Sequence, residues 1–564
     1  MIKKEATMRW APYIVLGITL AIVAISLRRV IVAYQDYPYF FDEAIHANGG
    51  LALAVDVWNR NLLGFLQTFY SQGFYPPTFS VFKAFAYVFF GPTTLVARSF
   101  SLLSLIIGQL VIFFFARQVY KNTEIDKFAS VKGGWVGLTA VLLTLTSLPL
   151  LNASTQVMLE APSLLISFVF LWLYFQSFIV EKASRRQLVS TSLVLVAVFL
   201  TKYTYGLAMV GTVGLMELSF IDWRGSDTIF AKIKGKLNRW LWLVAPFVVC
   251  LLIWLGTSYK FGEFFGYITA QPNEAQWSWE QLVFYPRNIV FQQLPSPLFG
   301  AVSLLGLGWG LTKWNRPGIR LLLIYFGVGM LEMLLNFPKI PRFITTFLPA
   351  AHMLTGLMLV SILWQKKWNT LHWILAGITG LSLLWAVPVL FGRYSTLKPL
   401  MQAQMKTAPA VNDIPQWVDE QIPDDSRFYI VNFFELVNME SLAWGMIADG
   451  GKRSGEFEDY HMPGGLLKEP TAENIEAFRQ DVLKSDVDFI LVIEGGDWGR
   501  GWPAYDRNLS DLVEYHAHRE FPIEVVNRPY LLWTTMIDQS VADYVLDHEK
   551  GVFNLKLLIY KVKR

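Results

Sequence analysis

Several short segments of this 564-residue chain hold ionisable side chains at the ends of apolar runs. Charge in such places is costly, and chemistry is the default reason to keep it. The first segment is Tyr39-Phe40-Phe41-Asp42-Glu43-Ala44-Ile45-His46, directly after the first apolar run. Its two adjacent carboxylates can take a proton from an acceptor hydroxyl or amine, or hold a metal ion. Acids also favour the first turn of a helix with no chemistry attached. His46 follows Asp42 by four residues, so the two can share a helix face as metal ligands, the alternative being an ordinary satisfied histidine. A further acid, Glu160, stands in Met158-Leu159-Glu160-Ala161-Pro162, either as a reacting group or as a helix-start carboxylate ahead of a proline. Three cations occupy comparable places: Arg98 in Val96-Ala97-Arg98-Ser99, Lys202 in Leu200-Thr201-Lys202-Tyr203, and Arg342 in Pro338-Lys339-Ile340-Pro341-Arg342-Phe343. Arginine suits bidentate phosphate binding and lysine acts as a point charge, although any one of them can simply snorkel. Gly73-Phe74-Tyr75-Pro76-Pro77-Thr78 is a rigid turn that either contacts substrate or only directs the chain into a helix.

The elements that carry these groups are membrane helices. Hydrophobic residues make up 54% of the chain and charged residues 16%, which excludes an all-soluble protein. Windows of the length needed to cross hydrocarbon occur at about 11–30, 95–116, 134–152, 160–180, 188–204, 205–221, 240–258, 297–312, 318–335, 342–363 and 371–391. The stretch 188–221 reads either as two crossings or as one long kinked element. The first run, 13–27, follows Lys3, Lys4 and Arg9, lacks a small-residue cleavage site and reads as an anchor. With the N-terminus cytoplasmic, the inner connections hold twenty Lys and Arg against ten in the longer outer ones. Arg28 and Arg29 fit that orientation least well. Asp42, Arg98, Glu160, Lys202 and Arg342 then share the outer side. Residues 31–94 form a long first outer connection, rich in aromatics, for which interfacial helices are expected.

After residue 391 the composition changes. Residues 391–564 contain 28 of the 44 acidic residues and no window apolar enough to span. Runs beginning at Phe428, Phe489 and Leu555 read as strands, and Ile475, Phe478 and Val482 recur at helical spacing after a possible N-cap at Thr471. The chain therefore divides into a transmembrane domain, 1–391, and an extracytoplasmic mixed α/β domain, 392–564. The single cysteine, Cys250, rules out a disulfide framework or a cysteine metal site. His352, inside a span, is expected to bond a neighbouring helix. His461, His516, His518 and His548 form no ligand pattern. The net charge of +4 implies no nucleic-acid partner.

In order along the chain these residues resemble the glycosyltransferase C superfamily, in the branch of the protein O-mannosyltransferases and lipid A aminoarabinose transferases. The resemblance covers about residues 10–365. It rests on the order and common sidedness of Asp42-Glu43, Tyr75-Pro76-Pro77, Ala97-Arg98-Ser99, Glu160-Ala161-Pro162, Leu200-Thr201-Lys202 and Pro341-Arg342-Phe343. It implies a multi-pass cell-membrane enzyme that moves a sugar, with inversion, from a polyprenyl-phosphate donor to a lipid, glycan or protein acceptor. Asp42 would be the catalytic or acceptor-orienting carboxylate, with Glu43 beside it and Glu160 as second acid. Lys202, Arg342 and Arg98 would receive the donor phosphate. Two departures stand out: Glu160 replaces the aspartate of many relatives, and Tyr75 replaces a lysine or histidine before the prolines. Divalent-metal dependence varies across the superfamily, which leaves a metal open, with Asp42, Glu160 and His46 as candidate ligands. The rival readings are a transporter or flippase of lipid-linked saccharides and a membrane-anchored binding module. Polar groups gathered at one face, without repeat symmetry, favour surface chemistry over transport.

Overall fold

A computed structural model of the protein describes residues 2–364, apart from short stretches in the connections of which 266–277 is the longest. Beyond them it describes 413–423, 426–430, 444, 476, 479–480, 482–484, 487–494, 510–525 and 551–563. The chain forms two compact units, one of residues 1–31, 56–83 and 97–395, the other of 32–55, 84–96 and 396–564. The helices in order are α1 (Ile2–Ala33), α2 (Phe41–Trp58), α3 (Leu62–Ser71), α4 (Thr78–Phe90), α5 (Thr94–Thr123), α6 (Ala129–Thr144), α7 (Leu148–Ser154) and α8 (Glu160–Tyr174). After α8 comes a π-helical turn (Phe175–Val180), followed by α9 (Arg185–Phe199), α10 (Tyr203–Ser219), α11 (Ile229–Trp254), α12 (Trp279–Asn288), α13 (Pro297–Thr312) and α14 (Pro317–Leu335). A 3-10 helix (Pro341–Thr346) then leads into α15 (Leu348–Leu363).

Among the described residues four stretches, Trp10–Val32, Thr94–Thr123, Glu160–Val180 and Pro317–Leu335, are long and apolar enough to cross a membrane, and shorter apolar helices accompany them. This is a polytopic helical membrane protein. The expected span at 371–391 lies outside the described residues, as do Thr471 and Lys339. Two expected spans are interrupted. The 134–152 window breaks between α6 and α7, where Ser147 caps the new helix through Leu150 N–H and a proline occupies its first turn. The 342–363 window opens as the 3-10 helix, and Pro349 stands in the first turn of α15. The 188–221 stretch resolves as two helices, α9 and α10, separated at Leu200–Lys202.

In the first unit α6 and α13 pack on α15, α9 on α11, and α10 on both α9 and α14. Small residues allow the close approaches that membrane helices need. A Cβ added at Gly108 of α5 would stand 2.7 Å from a Leu164 methyl on α8. One added at Gly329 of α14 would collide with the Phe347 ring. That ring in turn meets Tyr205 and Tyr325, with centroids 5.6 Å and 5.2 Å away.

Among its described residues the second unit carries a four-stranded sheet of β1 (Phe428–Ile430), β2 (Phe489–Glu494), β3 (Val513–Val525) and β4 (Gly551–Val562), in the order β1-β2-β4-β3. The β1–β2 pair is parallel and the others are antiparallel, with a register shift in β3 between Tyr515 and Ala517. β3 is an edge strand, the position at which a sheet tolerates its Pro522. One face of the sheet packs Tyr429, Ile490, Val492, Leu558 and Tyr560 into a core. In the same unit the Trp444 ring lies 4.8 Å from Tyr39 and 5.8 Å from Tyr87.

The Gly329–Phe347 contact makes a direct prediction. Gly329→Ala overpacks the core and is expected to lower stability by about 1–3 kcal/mol. Gly327→Ala, two residues earlier on the same helix, meets nothing within 4 Å and serves as the neutral control. Melting temperatures of the two purified variants in one detergent check the pair.

Candidate functional site

The separation of α9 from α10 presents Lys202. The α9 hydrogen bonding runs out at Leu200, and Thr201 turns its hydroxyl back to the Ala197 carbonyl at 2.7 Å. Lys202 then adopts an extended conformation at the N-cap of α10 (φ −158°, ψ 124°). The freed Leu200 carbonyl accepts the Thr78 N–H at 3.0 Å, so the turn after Pro76-Pro77 is tied to the same break. The Lys202 ammonium lies 3.7 Å from the Phe343 ring centroid and 5.0 Å from that of Tyr205. Cation–π attraction of this kind is worth about 0.5–2 kcal/mol.

Arg342 sits in the 3-10 helix, whose carbonyls cannot all be paired within so short a segment. In a dry interior each unpaired carbonyl is expensive, and side chains from the surrounding helices supply the donors. The Tyr285 hydroxyl of α12 donates to the Ile340 carbonyl at 3.2 Å. The Gln293 amide donates to Pro341 at 2.6 Å. Tyr205 of α10 donates to Phe343, and Tyr325 of α14 to Thr346, each at 3.2 Å. Burial pushes the Tyr285 hydroxyl pKa upward, which keeps it protonated as a donor. Pro341 fixes the first position of the segment.

These two cations converge on Glu160, at the first position of α8. Arg342 Nε stands 3.3 Å and Lys202 Nζ 3.7 Å from the same oxygen, Glu160 Oε1. Glu160 is 2% exposed, and its shielded Oε2 makes no hydrogen bond. Two cations thus lie against one carboxylate oxygen. In a low-dielectric setting each of these cations attracts an anion far more strongly than it would in water. A phosphate that accepts from both cations would satisfy charge and hydrogen bonding together.

Glu160, Lys202 and Arg342, singled out from sequence, are thus brought together. Arg98 is 2% exposed, inside the protein and not held out towards water. Asp42, Glu43 and His46 belong to the second unit and lie on the first two turns of α2. The adjacent acids are not equivalent there. Glu43 is wholly buried and His46 is 5% exposed, whereas Asp42 is only partly buried and remains reachable. Among the described residues no group of three or more His, Cys, Asp or Glu side chains could hold a metal ion. His352 shares a hydrogen bond with Thr144 of α6, Nδ1 to Oγ1 at 3.1 Å, in keeping with the expected link between neighbouring helices. Sequence reasoning missed Gln293 and the three tyrosines. Nothing in a lone Gln or Tyr signals that it will meet a distant carbonyl.

The sequence matches no protein-family model and no curated protein. Solved structures do match. ArnT from Cupriavidus metallidurans in the apo state aligns at 14% identity over 89% of this chain and 96% of that one, with a TM-score of 0.54. The same protein bound to undecaprenyl phosphate aligns over the same shares with a TM-score of 0.50. The Archaeoglobus fulgidus oligosaccharyltransferase in complex with zinc and sulfate aligns at 13% identity over 85% of this chain and 67% of that one, also at 0.50. The similarity is one of fold. The chain shares its fold with these proteins.

Removing the shared counter-charge tests the cluster. Glu160→Gln removes the carboxylate that both cations lie against, and breaking a buried pair in this way costs about 3–5 kcal/mol. Thermal denaturation in detergent is expected to show a large fall for Glu160→Gln and a smaller one for Glu160→Asp, which keeps the charge on a shorter arm.

Proposed function

We propose that this protein is a membrane glycosyltransferase that moves a sugar from a polyprenyl-phosphate donor to an acceptor at the outer face of the membrane, with inversion at the anomeric carbon. The observation that carries this reading is the Glu160–Lys202–Arg342 cluster, in which two cations converge on one shielded carboxylate. It occurs in a fold shared with an ArnT crystallised with undecaprenyl phosphate. The surplus of basic residues in alternate connections supports a cytoplasmic N-terminus and an extracytoplasmic domain over 392–564.

In the proposed reaction the Asp42 carboxylate takes the proton of the acceptor hydroxyl or amine. The acceptor lone pair attacks the anomeric carbon from the side opposite the phosphate. The carbon–oxygen bond to the donor breaks, and its electron pair leaves with the polyprenyl phosphate. Lys202 and Arg342 stabilise the charge that builds on that leaving group, with Arg98 as a further cation for the same phosphate. Glu160, the second acid of the site, holds the two cations in place between turnovers. Glu43, buried beside Asp42, fixes the start of α2 and with it the base. Membrane lipid surrounds the transmembrane domain, and the acceptor is a lipid, a glycan or a protein.

Transfer from a panel of radiolabelled polyprenyl-phosphate sugars, in liposomes holding wild-type protein or Asp42→Asn, tests the reading. Loss of a general base is expected to slow transfer about 10²–10⁴-fold with folding intact. Full activity in Asp42→Asn would remove that residue from the mechanism. Movement of lipid-linked sugar between leaflets, with no transfer from any donor, would contradict the enzyme reading and point to a flippase.

A further inference from the structure

The 3-10 helix that carries Arg342 is held by four side-chain donors, and one of them is connected differently from the rest. Each tyrosine reaches its carbonyl from the helix it stands on. Gln293 instead stands between α12 and α13 and is wholly buried (0% exposed). All of its amide's partners come from elsewhere in the chain. Its Oε1 accepts the Ser147 hydroxyl at 2.6 Å. Its Nε2 donates to Asn288 Oδ1 at 2.7 Å and to the Pro341 carbonyl at 2.6 Å. Ser147 and Asn288 are themselves buried, at 1% and 2% exposure. Ser147 is the residue that starts α7, and Asn288 ends α12. One amide therefore bridges the α6–α7 break, the end of α12 and the residue immediately before Arg342. Both of its ends are used, and their donor and acceptor roles admit only one orientation of the amide.

The geometry points to Gln293 as a positioning residue for Arg342, holding the Pro341 carbonyl so that the guanidinium stays on Glu160 and faces the donor phosphate. Its reach matters as much as its chemistry. Pro341 has no N–H with which to anchor the segment, so its carbonyl is the one backbone handle at that position. An apolar side chain at 293 would leave three buried polar groups, on Ser147, Asn288 and Pro341, without this partner. The start of the 3-10 helix would then be free to shift. A displacement of even a fraction of an ångström at Pro341 swings the guanidinium at the end of a long side chain by more than that.

The inference rests on the donor-phosphate reading only for its consequence in binding, and two measurements on four proteins separate the two. The proteins are wild type, Gln293→Leu, Arg342→Ala and the double variant, each in lipid nanodiscs. In the absence of ligand, the melting-temperature loss caused by Gln293→Leu is expected to be clearly smaller in the Arg342→Ala background, since sites in one network are not additive. Strict additivity would overturn the positioning role. With undecaprenyl phosphate as the probe, Gln293→Leu is expected to weaken binding about tenfold in the wild-type background and not at all beyond Arg342→Ala. An equal loss in both backgrounds would mean that Gln293 acts elsewhere, and would overturn the inference. Unchanged binding in Arg342→Ala, together with coupled melting temperatures, would remove the phosphate reading and leave the strut in place. Should Gln293→Leu fail to fold, Gln293→Asn, which keeps the amide and shortens its reach by one carbon, is read through the same two cycles.

Discussion

The constraint on which the rest of the structure depends is the convergence of two cations on the carboxylate of Glu160. Glu160, Lys202 and Arg342 come from three separate stretches of chain, and breaking a buried pairing of this kind is costly. Each needs the others, so the helices that carry them must be stopped and turned at particular residues. α8 begins at Glu160, α10 begins just after Lys202, and the approach to α15 tightens into a 3-10 helix at Arg342. The cluster is therefore made of helix ends. A helix end can present a charge, but it also leaves backbone groups without intrahelical partners.

Turning helices inside a membrane protein frees backbone carbonyls, and the second half of the architecture deals with them. Tyr205, Tyr285, Tyr325 and Gln293 close the carbonyls around the 3-10 helix. Thr201 and the Thr78 N–H close those at the α9–α10 break. The same contacts that satisfy the backbone hold Lys202 and Arg342 in place. Stability and positioning are thus one set of interactions, and the Phe347 ring, wedged against Gly329 between Tyr205 and Tyr325, locks it from behind.

Much of this was legible in the sequence, for definite reasons. Ionisable residues at the ends of apolar runs are few, so Glu160, Lys202 and Arg342 could be picked out one by one. The strands at Phe428, Phe489 and Leu555 announced themselves by β-branched and aromatic runs. Strand β3, Val513–Val525, did not, because its alternation is broken by charged residues and by Pro522 on an edge strand. The breaks at 145–147 and 341–346 were hidden inside windows whose average hydropathy is high. Hydropathy registers the absence of charge, whereas a break is set by one proline and the donors that answer it. The difference between Asp42 and Glu43 was equally invisible, since adjacent acids look alike until burial separates them. Gln293 lay beyond reach for the same reason as the tyrosines: its partners are dispersed from Ser147 to Pro341.

The most direct test of the account is a cryo-electron microscopy structure of the protein in nanodiscs with undecaprenyl phosphate bound. The phosphate is expected within about 3 Å of both Lys202 Nζ and the Arg342 guanidinium. A phosphate bound elsewhere, with Lys202 and Arg342 still resting on Glu160, would contradict it.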